Sequence, residues 1–258
     1  MNIMIIPAAG RGTRLNFDGP KLLFPLGGKT LLAYLIERYE PYIDKFVVVI
    51  NPDAESAVTQ ELSSLLKDRD ADFMIDFQAE ATGMLDAITI PMNAIEQSQQ
   101  FAPIKNIWIS WCDQASISAA TAKKLAQELA RLAKESSDYM ALPTAKVAMP
   151  YIHMQRDDAG KIAKVLQRRE NDEMPAVGEN DCGLFALSRN AYFKQLQKFA
   201  NIDQTMGLET KERNFLPFIA WLNKVAPVST FAASSDIETL GINTVEDANR
   251  LLSAWQKA

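Results

Sequence analysis

Short apolar segments alternate with amphipathic helical patterns through the first half of the chain, and this alternation is the strongest constraint on its fold. Strands are predicted at residues 3–7, 46–50, 73–77 and 107–111. Between them, apolar residues recur every three or four positions, as at Leu31, Leu35 and Tyr39, which indicates helices. The alternation predicts an α/β fold with a Rossmann-like, mostly parallel sheet that is covered by helices on both faces.

The pattern changes after residue 138, where the predicted strands have fewer helices between them. These strands are predicted at residues 139–143, 151–155, 161–166 and 183–187. They predict a small antiparallel lobe beside the parallel sheet. A helix near residues 215–222, a strand at 228–232 and a final helix follow, and Thr244 with Asp247 has the sequence of a helix N-cap. No repeat or linker interrupts the pattern, so residues 1–258 are predicted to form one domain.

Composition excludes several classes of partner. The chain has 258 residues and a net charge of −5, and no basic run offers a nucleic-acid surface. No apolar run approaches the length of a membrane span and no export signal is visible, so we expect a cytoplasmic protein without a membrane partner. Cys112 and Cys182 are predicted to be free thiols, and with His153 as the single histidine they lack the spacing of a zinc site.

The first predicted strand ends in a loop of small residues that lies close in sequence to two cations. The loop residues with little or no side chain are Ala8, Ala9, Gly10 and Gly12, and Thr13 follows them. Backbone N–H groups in such a loop can approach a phosphate chain closely. Arg14 offers a planar guanidinium for bidentate phosphate contact, and Lys21 offers a mobile point charge. This segment predicts a binding site for a nucleoside triphosphate.

Two other glycine motifs do not fit. A dinucleotide-binding fingerprint requires a third glycine where this chain has Leu15, and an acidic residue where the second strand is followed by Asn51. A P-loop ending at Thr30 requires a glycine where this chain has Leu23.

The run Gly10, Gly12, Thr13 and Arg14, followed by Pro20 and Lys21, resembles the motif of the sugar-1-phosphate nucleotidyltransferases, also called nucleotide-sugar pyrophosphorylases. The spacing is most similar to that of N-acetylglucosamine-1-phosphate uridylyltransferase domains, although the hexapeptide repeat of their acetyltransferase β-helix is not seen. The resemblance implies a nucleotide-diphospho-sugar transferase fold. It also implies that residues 1–138 mainly bind the nucleotide and that residues 139–258 mainly bind the acceptor and supply the C-terminal helix.

The resemblance implies further site residues around the nucleotide. Gln78 and the backbone of Gly83 would contact the base, whereas the alternative is a polar loop before a helix. Asp113 follows the strand at 107–111, where ligands bind in such sheets, and it would hold Mg²⁺; the alternative is a helix cap. Asn243 would be the second protein ligand of the metal, unless it only begins the last helix.

The acceptor side departs from the pattern of the hexosamine-1-phosphate enzymes. The resemblance implies acceptor contacts from Tyr151, Gln167 and Asp181. However, Ile152 stands where the family has glycine, Gln167 where it has glutamate, and Asp181 where it has asparagine. His153 nearby is expected to be a structural strand residue rather than a sugar ligand.

The resemblance implies a Mg²⁺-dependent transfer of a nucleoside monophosphate from a pyrimidine triphosphate, with UTP favoured, to a sugar 1-phosphate. Arg14 and Lys21 would be the catalytic residues. Two alternatives remain open: a CTP-dependent cytidylyltransferase for a phosphate such as phosphocholine or an alditol phosphate, and a nucleotide-sensing module without turnover. The expected partners are therefore a nucleoside triphosphate and a phosphorylated small molecule, and the sequence predicts no oligomeric state.

Overall fold

A computed structural model describes residues 1–10, 12–98, 103–202 and 205–256. Its strands are β1 Asn2–Ala8, β2 Pro25–Leu26, β3 Lys29–Thr30, β4 Lys45–Ile50, β5 Asp72–Phe77, β6 Asn106–Ser110, β7 Met140–Ala148, β8 Ile152–Arg156, β9 Ile162–Gln167, β10 Val177–Asp181, β11 Leu184–Ser188 and β12 Val228–Ala232. Its α-helices are α1 Leu31–Tyr39, α2 Glu55–Leu66, α3 Met84–Thr89, α4 Met92–Gln97, α5 Ala119–Leu132, α6 Gln197–Ala200, α7 Pro217–Leu222 and α8 Val245–Trp255.

One mixed sheet of eight strands forms the centre of the described structure, in the order β10-β7-β11-β6-β1-β4-β5 with β12 paired to β7. Strands β6, β1, β4 and β5 are parallel, as the alternation in the first half predicts. Strand β11 is antiparallel to β6 and to β7, and β10 is antiparallel to β7. The carboxyl ends of β1, β4, β5 and β6 therefore meet at one edge of the sheet.

Both faces of the sheet are buried, because successive side chains of a strand point to opposite faces. In β1, Ile3 and Ile5 pack in one core cluster with α3, α4 and α7. Met4 and Ile6 pack in the other cluster with α1, α2 and α5. The predicted α/β fold with helices on both faces is confirmed.

The predicted antiparallel lobe is smaller than expected. The strands at 139–143 and 183–187 belong to the central sheet as β7 and β11. Of the four strands predicted for the lobe, the other two, β8 and β9, form a two-stranded sheet of their own. Strand β10 (Val177–Asp181) was not predicted at all, because its sequence VGEND has no apolar alternation. Its polar side chains have partners elsewhere: Glu179, for example, accepts hydrogen bonds from Arg156.

Two smaller predictions, for His153 and for the two cysteines, are confirmed. His153 lies in β8, where its Nδ1 accepts a hydrogen bond from the Glu179 backbone N–H at 3.1 Å. Cys112 and Cys182 are both free thiols. Among the described residues, no helix combines the length and the apolar composition that a membrane crossing requires.

The start of α8 is fixed by a reciprocal capping box. Thr244 Oγ1 accepts from the Asp247 backbone N–H at 3.1 Å, and Asp247 Oδ2 accepts from the Thr244 N–H at 2.8 Å. The same Asp247 oxygen also accepts from the Asn243 N–H at 3.0 Å. The helix cap thus positions the backbone of Asn243.

Gly83 joins β5 to α3 in a conformation that requires glycine. Its φ is +128°, and a Cβ at this position would lie 2.4 Å from backbone atoms of Arg213. Gly160 has φ +78° but open space around the Cβ position. We expect Gly83→Ala to lower the free energy of unfolding by about 2 kcal/mol more than Gly160→Ala, because both lose backbone freedom but only the former forces two backbone segments apart.

Urea denaturation followed by circular dichroism measures this difference. If both variants lose the same free energy of unfolding, the backbone around Arg213 moves to accommodate the added Cβ. Its close approach would then not constrain the conformation of Gly83.

Candidate active site

The predicted phosphate-binding loop follows β1 at the edge where the parallel strands end. Gly12 has φ +58°, and a Cβ there would lie 2.8 Å from Lys21 Cβ. Glycine therefore lets the loop pack directly against the stem of Lys21. Ala9, Gly10 and Thr13 lie beside Gly12 on the wall of one cavity.

Four predicted residues meet in a single polar group, which we call the Lys21 cluster: Arg14, Lys21, Asp113 and Asn243. The Lys21 Nζ donates to Asp113 Oδ2 at 2.5 Å and to Asn243 Oδ1 at 2.9 Å. Arg14 Nη2 donates to the same Asn243 oxygen at 3.1 Å. The structure thus brings together residues from three distant parts of the sequence.

Backbone contacts hold Asp113 and Asn243 next to each other. The Ile242 N–H donates to the Asp113 carbonyl oxygen at 3.0 Å. A Cβ on Gly241 would lie 3.1 Å from Asp113 Oδ1, so the segment before α8 passes close to the carboxylate. The chain around residues 241–243 is therefore docked on the end of β6.

The donor set of the cluster suits a hard cation. Asp113 Oδ2 and Asn243 Oδ1 both contact the Lys21 ammonium, so the two oxygens converge on one point. Carboxylate and amide oxygens are ligands that Mg²⁺ accepts. Among the described residues there is no group of three or more His, Cys, Asp or Glu that could hold a metal. A Mg²⁺ ion held here would thus need further oxygens from phosphate and water.

A cavity of about 400 Å³ on one side of the cluster contains the predicted base-reading residues. Gln78 is 7% exposed, and its Nε2 donates to Thr82 Oγ1 at 3.1 Å and to the Gly83 carbonyl oxygen at 3.0 Å. Its carboxamide is therefore held in a fixed orientation. Ala8 is buried in the core below the loop, so its side chain does not form part of the cavity wall.

A second cavity of about 490 Å³ lies on the other side of the cluster. Tyr151 and Asp181 are on its wall, as the predicted acceptor contacts require. Gln167 is not on the wall: it is buried behind it, where its Oε1 accepts from Asn214 Nδ2 at 2.7 Å. Asn214 is the wall residue at this point, so Gln167 orients a neighbour instead of facing the cavity.

The two cavities share a wall at which an attacking group and a nucleotide can meet. The residues that line both are Arg14, Met84, Trp111, Asp113, Arg169 and Asn243. Sequence reasoning identified Arg14, Asp113 and Asn243 and missed Met84, Trp111 and Arg169. The position of Trp111, directly after β6, was a usable signal, whereas Arg169 lies in a turn that has no recognisable motif.

Asp181 is an unusual carboxyl group because it is only 5% exposed. Burial raises its pKa to about 6, and the nearby charge of Asp113 acts in the same direction. The Gly183 N–H, which donates to Asp181 Oδ1 at 2.7 Å, opposes this rise. Asp181 thus lies in a less polar environment than the paired Asp113.

Comparison with known proteins agrees with this architecture. Residues 4–181 match the family model described as "MobA-like NTP transferase domain". The chain is similar to the "Bifunctional protein GlmU" of Xylella fastidiosa, with 24% identity over 260 residues that cover 98% of this chain and 51% of the relative. The chain spans about half or less of the length of the curated relatives it matches first.

Solved structures show the same fold at low sequence identity. A UDP-glucose pyrophosphorylase complexed with UDP-glucose superposes with a TM-score of 0.72 and 17% identity, covering 100% of this chain and 99% of the other. The 4-diphosphocytidyl-2C-methyl-D-erythritol synthase from Anaerococcus prevotii gives a TM-score of 0.61 and 13% identity, with coverage of 99% and 98%. The predicted nucleotide-diphospho-sugar transferase fold and the resemblance drawn from the motif are confirmed.

The buried Asp181 predicts a pH-dependent stability difference. Its pKa in the folded protein, about 6, lies above the ordinary value of 3.8, so folding favours the protonated carboxyl. The stability contributed by this group is present below about pH 4 and is lost as the pH rises through about 6. Asp181→Asn keeps an oxygen for the Gly183 N–H but cannot ionise. We therefore expect the free energy of unfolding of the variant, relative to the native chain, to rise by up to about 3 kcal/mol between pH 4 and pH 8.

Urea titrations of both proteins across this pH range measure the change. If the difference between variant and native chain stays constant with pH, the carboxyl is not in a desolvated environment.

Proposed function

The chain belongs to the MobA-like NTP transferase domain family, and we propose that it moves a nucleoside monophosphate from a pyrimidine triphosphate, with UTP favoured, to a sugar 1-phosphate, with release of pyrophosphate. The observation that carries the proposal is the position of the Lys21 cluster: Arg14, Asp113 and Asn243 line both the cavity at the predicted phosphate-binding loop and the second cavity, which would take the acceptor.

The chemistry required is an in-line displacement at the α-phosphorus. An oxygen of the acceptor phosphate forms the new P–O bond while the bond to pyrophosphate breaks. The attacking phosphate is already anionic, so no side chain needs to remove a proton. The protein would act by positioning and by neutralising charge: Arg14 at the leaving pyrophosphate, and Lys21 at the α-phosphate and the acceptor phosphate.

Asp113 and Asn243 would hold Mg²⁺, together with oxygens of the phosphates. Such an ion would supply further neutralisation of phosphate charge. The Lys21 ammonium lies between the same two oxygens, so it must swing away for both of them to face a metal. Lys21 lines the cavity at the predicted phosphate-binding loop, so its ammonium would turn toward the phosphates of a bound nucleotide. In this proposal Lys21 exchanges its contacts within the protein for contacts with the substrate.

The preference for a pyrimidine rests on Gln78 and Gly83. Both N–H groups of the Gln78 carboxamide are used by Thr82 and Gly83, so its oxygen is left to accept a hydrogen bond from the base. Uracil and cytosine each present an N–H donor on the pairing edge, which is why CTP stays the alternative to UTP.

The alternative is a CTP-dependent transfer to a non-sugar phosphate. The solved 4-diphosphocytidyl-2C-methyl-D-erythritol synthase supports this alternative, since it shares the fold. A nucleotide-sensing module without turnover is less well supported, because sensing alone does not need a second cavity that shares the Lys21 cluster. A cytoplasmic location remains part of the proposal.

Neutralising Lys21 tests the proposed catalytic role. We expect Lys21→Met to reduce the rate of pyrophosphate release by about 10²–10³-fold, because the charge that opposes the developing negative charge is lost. Lys29→Met is the matched control, since Lys29 pairs with Glu37 and lies over the Tyr34 ring at the surface, and it is on the wall of neither cavity. The assay uses UTP, CTP, ATP and GTP with glucose 1-phosphate, glucosamine 1-phosphate and phosphocholine.

A folded Lys21→Met protein with near-normal turnover would refute the catalytic assignment. Preference of the native chain for ATP or GTP would refute only the assignment of the base, because Arg14 and Lys21 contact no base.

The same lysine predicts opposite effects of two variants on metal binding. Mn²⁺, followed by electron paramagnetic resonance without nucleotide, serves as the probe. We expect Lys21→Met to bind Mn²⁺ more tightly than the native chain, because the competing ammonium is gone. Asp113→Asn should bind it more weakly, because the anionic oxygen is lost.

Equal Mn²⁺ binding by the two variants would place the metal elsewhere. An unaffected Asn243→Ala variant would remove Asn243 alone from the ligand set.

A further inference from the structure

The wall of the acceptor cavity contains an anionic group without a cationic partner. Asp181 is 5% exposed and receives the Gly183 N–H on Oδ1. Among the described residues, no Lys, Arg or His forms an ion pair with it. A buried carboxylate in this position is costly unless another group compensates its charge.

The other polar groups of this wall are already engaged in holding the fold. The carboxamides of Asn180, Asn214 and Gln114 each form hydrogen bonds to neighbouring protein groups. They therefore fix the shape of the cavity, and Asp181 stands out as the strongest acceptor left for a ligand.

Both signs of charge occur on the wall of this cavity. Arg14 and Arg169 lie at the wall shared with the nucleotide cavity. Of the acidic residues, Asp113 is paired with Lys21 and Asp247 caps α8, which leaves Asp181 as the uncompensated anion. A ligand that carries both an anionic group, for the two arginines, and a cationic group, for Asp181, matches these charges.

Aromatic side chains surround the same space. Trp111 and Phe215 line the cavity with their rings edge to face, at a centroid distance of 6.0 Å, and Tyr151 is 56% exposed at its edge. Faces of aromatic rings attract ammonium groups, and a low-polarity wall strengthens the attraction between a cation and a carboxylate.

We propose that the acceptor carries an ammonium group as well as its phosphate, and that Asp181 binds this ammonium while the phosphate lies at the Lys21 cluster. The inference rests on the proposed function and names the chemical class of its acceptor: an amino sugar phosphate or a phosphorylated amino alcohol. Both classes of acceptor carry a positively charged nitrogen. The assay distinguishes the two classes by comparing a member of each with an analogue that lacks this charge. The raised pKa of Asp181 is consistent with an anion that lacks its partner until such a ligand binds.

The test compares acceptors that differ only in charge. Glucosamine 1-phosphate is paired with glucose 1-phosphate, and phosphocholine with its neutral carbon isostere 3,3-dimethylbutyl phosphate. Each pair is assayed with UTP and with CTP. We expect the native chain to prefer the cationic member of one pair by at least about tenfold in kcat/KM, since a site built around a charged group discriminates against an analogue that lacks its partner.

Asp181→Asn should reduce that preference to near equality, because the amide keeps the hydrogen bond from Gly183 but loses the charge. Glu179→Gln is the matched control, since Glu179 is an acidic residue of the same strand, pairs with Arg156 and is on the wall of neither cavity. This variant should retain the preference. Calorimetric titration of the same four phosphates, in the presence of a non-hydrolysable UTP analogue, adds a readout that does not require turnover.

The outcomes separate this inference from the proposed function. Equal use and equal binding of charged and neutral members by the native chain would overturn the inference while turnover still supports a nucleotidyltransferase. A preference that persists in Asp181→Asn would overturn the role of Asp181. Ammonium-dependent binding that is lost in Asp181→Asn, without pyrophosphate release from any pair, would support the inference and overturn the proposed function.

Discussion

The contact of one ammonium group with two oxygens organises the candidate site. Lys21 Nζ joins the first loop to Asp113, which follows β6, and to Asn243, which precedes α8. The side chains of Lys21 and Asp113 are largely buried. Removing either one would leave the other as an uncompensated buried charge, so the contact holds distant segments of the chain together. The Asn243 oxygen that accepts from Lys21 also accepts from Arg14, so Asn243 holds one cation on the wall of the first cavity and the other on the wall that both cavities share.

The two halves of the sheet contribute differently to the site. The parallel half supplies strand ends and backbone around Gly12 and Gly83, where backbone conformation and close approach leave little freedom to substitute. The other half supplies the acceptor wall from loops, from β10 and from the β8–β9 hairpin. Side chains there, such as Asn214 and Asp181, define the shape and charge of the cavity without fixing the fold of the sheet. A loop that matches a family motif can thus lie beside a cavity whose wall departs from the family pattern.

Local sequence patterns predicted those parts of the structure that local physics determines. The strands at 3–7, 46–50 and 73–77 and the cap at Thr244 follow from apolar periodicity and from capping chemistry, and each is present. The joining of β7 and β11 to the central sheet was not predictable in this way, because strand pairing depends on distant partners. Strand β10 was missed because hydrogen bonds of its polar side chains, and not burial of an apolar face, hold it at the edge. For the site, the family resemblance predicted four residues that the structure places in contact: Arg14, Lys21, Asp113 and Asn243. Gln167 shows that alignment to a motif does not determine which way a side chain faces.

Burial of Asp181 illustrates how a cavity can gain selectivity at the expense of stability. An unpaired carboxylate favours the unfolded state at neutral pH, where water solvates the charge. The Gly183 N–H holds the carboxylate in place, and the Asn180 carboxamide donates to the backbone carbonyl oxygen of Asp181. In the proposal, a ligand that supplies the missing positive charge binds with a favourable free energy that offsets the stability lost by burying the carboxylate. A neutral ligand of the same shape does not gain this free energy. A buried and uncompensated charge on a cavity wall is therefore informative about the ligand, because its sign is opposite to the charge that the cavity is built to accept.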